Sequence, residues 1–292
     1  MALAADTTTV VAERLIELLD LEQIELNLYL GRNESRGGFR LFGGQVLAQA
    51  ARAAYNTVEG VGLHSLHAYF LRAGDSKRPV LYEVERIRDG QSFTTRRVVA
   101  IQNGEAIFNM DVSFQKAEPG FEHADPVPNV PLPDELEDDV LVARSTHDAS
   151  RISPFAKRVR PFETRSVFRL GSDEANAARF FNPVWIRFPL EIDPTLTALC
   201  HCLLAYASDM GMVSTGALPH QRGIRREALQ MASLDHALWI HRSVPIGDWM
   251  LFHKHTSVAQ GARAMAHAGF YSEGGELIAS VTQEGLVRVT DA

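Results

Sequence analysis

The chain has 292 residues, 46% of them hydrophobic and 22% charged, and a formal net charge of −7. Such a composition belongs to a soluble globular protein, at a length that favours two domains or one fused pair. The acidic total gives no case for a nucleic-acid partner, and without a long apolar run no membrane span is expected.

Residues 9–20 predict an amphipathic helix, with Val11, Leu15, Leu18 and Leu19 on one side. IELNLYLG alternates from Ile24 to Leu30 and predicts one strand. FGGQVLAQAARAAYN reads as a Gly43-Gly44 turn opening an Ala-rich helix. Then come the strand-like runs SLHAYFLRAG, VLYEVERIRD, SFTTRRVVAIQN and AIFNMDVSFQ, joined by short turns such as Asn103-Gly104. One helix followed by successive strands favours an α+β antiparallel sheet over βαβ units. From Arg72 to Arg97 seven basic residues face four acidic ones. They read as a solvated surface or as a seat for an anionic ligand.

Residues 118–139 carry five prolines and eight acids without apolar period, the composition of an extended linker. Beyond it FETRSVFRL and VWIRFPLE predict strands. Asp193-Pro194 predicts a helix start, with Asp as N-cap and Pro in the first turn. That helix is apolar nearly all round and runs to Gly211. SLDHALWIHR, WMLFHKHTSVA, ARAMAHAGFYSE and ELIASVTQEGLVRV predict further strands. Gly90 aligns with Gly261, and NGEAIF with GGELIA, at a constant offset of 171. The expected organisation is a first repeat (1–117), an acidic Pro-rich linker (118–150) and a second repeat (151–292). Each repeat is expected to be an antiparallel sheet wrapped around a long central helix.

Cys200 and Cys202 are too close in a helix for a disulfide, and C-x-C is not a zinc-finger spacing. A reduced chain without a recognisable signal peptide is expected in the cytoplasm. No G-x-S-x-G, P-loop or G-x-G-x-x-G motif is present, which removes the usual support for serine hydrolase, NTPase and Rossmann readings. His253 and His255 are a chelating pair in spacing, but H-x-H alone does not make a metal site, and no metal or other cofactor is expected.

Asp235 opens an apolar strand, where an ionised carboxylate is costly unless paired or used. Thr256 and Gln283 are polar residues in later strands. Together the three suit one held water, with Asp235 as base and the others fixing its direction. Gly43, Gly44 and Gln45 at a helix start would present N–H groups to a developing oxyanion. The competing reading of each residue alone is structural: a hydrogen-bonded Asp at a strand end, and Thr as an ordinary strand former.

FGGQVLAQA, LHSLHAYFLRAGDSKRPVLYEVERIRDGQSFTTRRV, IQNGEAIFNMDVSFQ, SLDHALWIHR, HTSVAQGARA and SVTQEGLVR span both halves in order. Through these stretches the chain resembles the acyl-CoA thioesterase II family, which are double-hotdog proteins. The resemblance implies a cofactor-free hydrolysis of fatty acyl-CoA to fatty acid and CoA by activated water, without a covalent intermediate. It implies the catalytic residues Asp235, Thr256 and Gln283, and a homo-oligomer. Residues 140–180 and the Cys200–Cys202 helix depart from the family pattern. A hotdog hydratase or dehydratase would carry a His near a helix start, which FGGQVLAQ and EIDPTLTALC lack. A non-catalytic acyl-CoA-binding module would need no water-holding trio. Across the repeat, His67, Glu85 and Val112 stand where the second half has Asp235, Thr256 and Gln283. One working site per chain is expected, with His67 either lent to it or simply a core histidine.

Overall fold

The computed structural model describes residues 2–33, 40–145, 159–168, 172, 174, 177–220, 224 and 228–290, with side chains from Thr8 onward. Helix α1 (Ala2–Leu18) buries Val11, Ala12 and Leu15 on its inner stripe, and Leu19 just beyond it. The alternating stretch after it is a hairpin, β1 (Glu22–Glu25) and β2 (Leu28–Gly31), rather than one strand. Asn27 causes the difference: it adopts a φ of +62°, which its short polar side chain tolerates and which reverses the chain.

Helix α2 (Gly43–Tyr55) precedes β3 (Gly62–Phe70), β4 (Val80–Asp89), β5 (Phe93–Gln102) and β6 (Glu105–Gln115). Residues 116–132 have no regular structure, followed by a 3-10 turn and the short helix α3 (Asp139–Ser145). This linker is docked. Val130 and Leu136 pack on Trp185, Trp249, Leu251 and Tyr271, and the Trp185 indole donates to the Pro131 carbonyl at 2.9 Å.

The second half contributes β7 (Glu163–Ser166), β8 (Phe181–Arg187), helices α4 (Thr197–Ser208) and α5 (Met212–Ala217), β9 (Leu229–Ser233), β10 (Asp235–Ile240), β11 (Met250–Gln260), β12 (Arg263–Ser272) and β13 (Leu277–Val289). Helix α4 starts four residues after the expected Asp193 cap. The Asp193 carboxylate instead accepts the N–H and hydroxyl of Thr195, forming a turn ahead of the helix. The helix ends at Ser208 with Asp209 as C-cap, short of the expected Gly211, which at φ +78° is instead the N-cap of α5.

The strands form one sheet, in the order β1-β2-β4-β5-β6-β3-β10-β13-β12-β11-β8-β7, with β9 also on β13. The two separate sheets expected from the sequence are joined because β3 and β10, each otherwise an open edge, pair antiparallel from Asp235↔Tyr69 to Trp239↔Ser65. The order reads alike from the join outward: β3, β6, β5, β4 one way and β10, β13, β12, β11 the other. The repeat is therefore visible as a pseudo-twofold, and the hairpin glycines Gly104 and Gly275 both take positive φ.

Helices α2 and α4 pack against each other inside the curved sheet, in one core with Leu47, Ala51, Leu66, Phe114, Leu203, Phe252 and Phe270. They run antiparallel. Gly44, at the start of α2, meets Tyr206 near the end of α4, and Tyr55 at the end of α2 meets His201 near the start of α4. A Cβ on Gly44 would lie 2.4 Å from the Tyr206 carbonyl oxygen and 2.5 Å from the Phe42 ring. Gly44→Ala should lower unfolding stability by about 1–3 kcal/mol, the usual cost of overpacking. An unchanged denaturation midpoint would show that the helices are not held this close.

Candidate active site

Asp209 caps the C-terminus of α4 and is buried, at 7% exposure. Its Oδ2 accepts the Gly44 N–H from the start of α2 at 2.8 Å. Its Oδ1 accepts from the Gln283 amide of β13 at 3.0 Å and from the Ser233 hydroxyl of β9 at 3.3 Å. Gln283 Nε2 also donates to Ser233 Oγ at 2.7 Å. Four elements thus converge on one carboxylate. Its pKa is raised from 3.8 to about 6, because burial outweighs the opposing pull of the bonds from Gln283, Gly44 and Ser233. The position at the negative end of α4 opposes ionisation, while the positive start of α2 favours it.

The strand between Ser233 and His236 explains this convergence. In an unbroken strand, residues three apart face opposite sides. β9 ends at Ser233 and β10 begins at Asp235, with Leu234 between them. The Leu234 N–H still bonds the Glu284 carbonyl, and its own carbonyl accepts the Phe70 N–H. This break puts Ser233 and His236 on the same side, both against Gln283. Such irregularities commonly re-aim side chains beside active sites. His236 is buried, with Nδ1 2.9 Å from Gln283 Oε1 and Nε2 2.8 Å from the Ser208 hydroxyl.

The residues expected from the sequence are only partly here. Gln283 is. Asp235 alternates with His236 and faces the opposite side, where its Oδ1 accepts the Glu284 N–H at 2.6 Å. Burial raises its pKa, and that bond offsets part of the rise. Thr256 shares Gln283's face but is separated from it by a whole strand, through the register Thr256↔Ala266↔Gln283. Two strand spacings are about 10 Å, and the Thr256 hydroxyl donates to the Met265 carbonyl at 2.8 Å. The structure therefore does not gather Asp235, Thr256 and Gln283 around one water.

At the start of α2, the Gly44 N–H is taken by Asp209, and a Cβ on Gly43 would lie 2.8 Å from the same carboxylate. The Gln45 side chain turns away to donate to Asn33. His67 is exposed on the outer side of β3, edge-on to Trp239, so it is neither lent to the cluster nor a core histidine. His253 and His255 stand beside the Phe181 ring. Among the described residues no group of three or more His, Cys, Asp or Glu is placed to hold a metal ion. Sequence reasoning missed Asp209, Ser233 and His236. The available signal was Asp209 itself, the one acid closing the otherwise apolar helix TLTALCHCLLAYASDM.

Family models described as the acyl-CoA thioesterase N-terminal domain and C-terminal domain match residues 32–115 and 130–287. The acyl-CoA thioesterase 2 of Haemophilus influenzae is 35% identical over 285 residues, covering 96% of this chain and 99% of that one. The human acyl-coenzyme A thioesterase 8 is 36% identical over 282 residues, covering 93% of this chain and 88% of that one. Among solved structures, an acyl-CoA thioesterase II from Mycobacterium marinum has a TM-score of 0.77 at 39% identity, over 95% of this chain and 99% of that one. A hot dog fold protein from Alicyclobacillus acidocaldarius has the same TM-score at 16% identity, a likeness of fold alone. The fold is thus that of the hotdog proteins. The chain belongs to the acyl-CoA thioesterase II family.

A buried carboxylate whose folded pKa is raised costs stability when ionised. The cost is fully present above about pH 6 and is relieved as pH falls from there toward 3.8. Asp209→Asn should therefore raise unfolding stability at pH 8 by about 2–3 kcal/mol. The gain should shrink to nothing below pH 4. Denaturant titrations of both proteins across pH check this, and a variant less stable at pH 8 would contradict the strain assigned to Asp209.

Proposed function

We propose that this chain hydrolyses the thioester of fatty acyl-CoA to free fatty acid and CoA, by attack of a water that Asp209 deprotonates, without a covalent intermediate. Family membership supports the acyl-CoA hydrolase class. The observation that carries the mechanism is the convergence of Asp209, Gln283 and Ser233 at the start of α2. A base with a pKa of about 6 is ionised at neutral pH and keeps useful basicity there. Gln283 and Ser233 have donor and acceptor groups within reach of the same carboxylate and would fix the water's direction. The positive end of α2 would favour the negative charge that develops on the carbonyl oxygen. No step needs a metal ion.

In this reading the two repeats are two hotdog units with one site between them. The C-cap of α2 is Asn56, where α4 has Asp209, and Val112 stands where the second half has Gln283. Neither replacement can take a proton from water at neutral pH. Titration with a tight, non-hydrolysable acyl-CoA analogue should find one catalytic-type site per chain, and two equivalent sites would overturn this.

Asp209→Asn should lower turnover by at least about a hundredfold, the worth of a positioned general base. Asp235→Asn should stay within roughly threefold of the native rate. Release of free CoA is the measurement. The reverse result, a dead Asp235→Asn and a working Asp209→Asn, would return the role of base to Asp235.

A further inference from the structure

His236 does not touch the carboxylate assigned as base, but it closes a hydrogen-bond chain that ends there. The chain runs from Asp209 through Gln283 and His236 to Ser208, whose hydroxyl oxygen lies 2.8 Å from both His236 Nε2 and the Ala205 carbonyl oxygen. A hydroxyl has one proton, a neutral imidazole has one, and an amide has a donor end and an acceptor end. These counts leave few consistent arrangements.

With Asp209 ionised, Gln283 must turn its NH2 toward the carboxylate. Its Oε1 then faces the ring and needs a proton on His236 Nδ1. The bare Nε2 takes the Ser208 proton. With Asp209 protonated, its O–H needs an acceptor; Ser233 Oγ would have to accept from both Asp209 and Gln283 and leave its own proton unplaced, so the Gln283 amide turns over instead. Oε1 accepts from Asp209 and Ser233, and the NH2 donates to a bare Nδ1. The ring proton then sits on Nε2 and is donated to Ser208, whose own proton goes to Ala205. One proton enters the cluster, on Asp209, and the ring keeps one throughout.

We propose that His236 is a positioning residue for the reaction. In its Nδ1–H tautomer it holds the Gln283 amide with the NH2 toward Asp209, and Asp209 protonation and the His236 tautomer change together. The proposal rests on Asp209 being the base.

The titratable groups of the cluster are Asp209 from α4 and His236 from β10. β13, β9 and α2 supply Gln283, Ser233 and the Gly44 amide, and the β3 residue opposite His236 is Ala68. Lys254 of β11 reaches the same end, with its Cε 3.7 Å from where a Cβ on Gly211 would lie. A third arrangement, imidazolium with ionised Asp209, also satisfies every bond. Burial opposes it, holding His236 down at about 4 while lifting Asp209 to about 6.

The test uses the full chain with nitrogen-15-labelled histidine and two-bond proton–nitrogen correlation spectra between about pH 5 and about pH 8. His236 should be the Nδ1–H tautomer at the upper end and convert to Nε2–H as Asp209 titrates. In Asp209→Asn it should be Nε2–H throughout, because the Asn oxygen keeps the Gly44 N–H and its NH2 faces Gln283. An Nε2–H tautomer in the native protein at the upper end, an imidazolium, or a tautomer indifferent to pH would each overturn the proposal. In kinetics, His236→Phe should move the acid limb of kcat/KM upward by about one pH unit. His236→Gln, which can still donate to Gln283, should restore it, and an unmoved limb in a folded His236→Phe would also overturn the proposal. If His236→Phe does not fold, the native spectra decide. Native turnover in Asp209→Asn would instead remove the assigned base, whatever the spectra report on His236.

Discussion

The Gly44 N–H bonded to the Asp209 carboxylate ties the start of one central helix to the end of the other. The geometry allows this only because Gly44 has no side chain, since the Tyr206 carbonyl occupies the space a Cβ would need. The close approach has two effects. It buries Asp209, which raises its basicity. It also brings the positive end of α2 to the same place, which keeps the carboxylate usable as an anion. Separating the helices would expose Asp209 to water and weaken both effects, so core packing and site electrostatics here are one constraint.

The break at Leu234 does for the sheet what Gly44 does for the helices. A regular strand could bring either Ser233 or His236 to Gln283, but not both. The interruption costs little in hydrogen bonding, because Leu234 keeps its bonds to Glu284 and Phe70. It places two polar side chains on a face that is otherwise core, where a buried polar group is tolerated only when bonded. Every member of the cluster has a partner, and no buried side-chain N or O is left unpaired among the described residues.

Much of the fold was legible in the sequence. Period-two alternation located β3 to β6 and β10 to β13 closely, and the offset of 171 anticipated the pseudo-twofold order of the sheet. What alternation cannot show is an edge pairing between distant strands, so the join of β3 to β10 was missed. Nor can it show a one-residue interruption: SLDHAL read as one strand makes Asp235 look poised and hides Ser233. Gln283 was found because a buried-looking amide in an apolar strand is unusual wherever it points. Asp209 was passed over because a charged residue at the end of a helix is ordinarily open to water. Only the packing of α2 against that end removes it from water.

The two ends of the helix pair show how duplicated geometry can diverge. Beyond the end of α2, the buried Arg96 binds the Thr57 hydroxyl at 2.8 Å, the Thr57 carbonyl at 3.3 Å and Asp89 at 2.5 Å. Tyr55 is held between the Leu63 N–H and His201, each at 2.7 Å. Burial keeps His201 neutral, with its pKa down at about 4, and raises that of Tyr55. A cavity of about 510 Å³ opens at this end, bordered by Arg52, Tyr55 and the residues leading into α4. With His201 held neutral and the Tyr55 hydroxyl held protonated, this pair can fasten the helices but cannot trade a proton near neutral pH. The end holding Asp209 keeps a group that titrates near neutrality, which is a cost in stability and the requirement for a base.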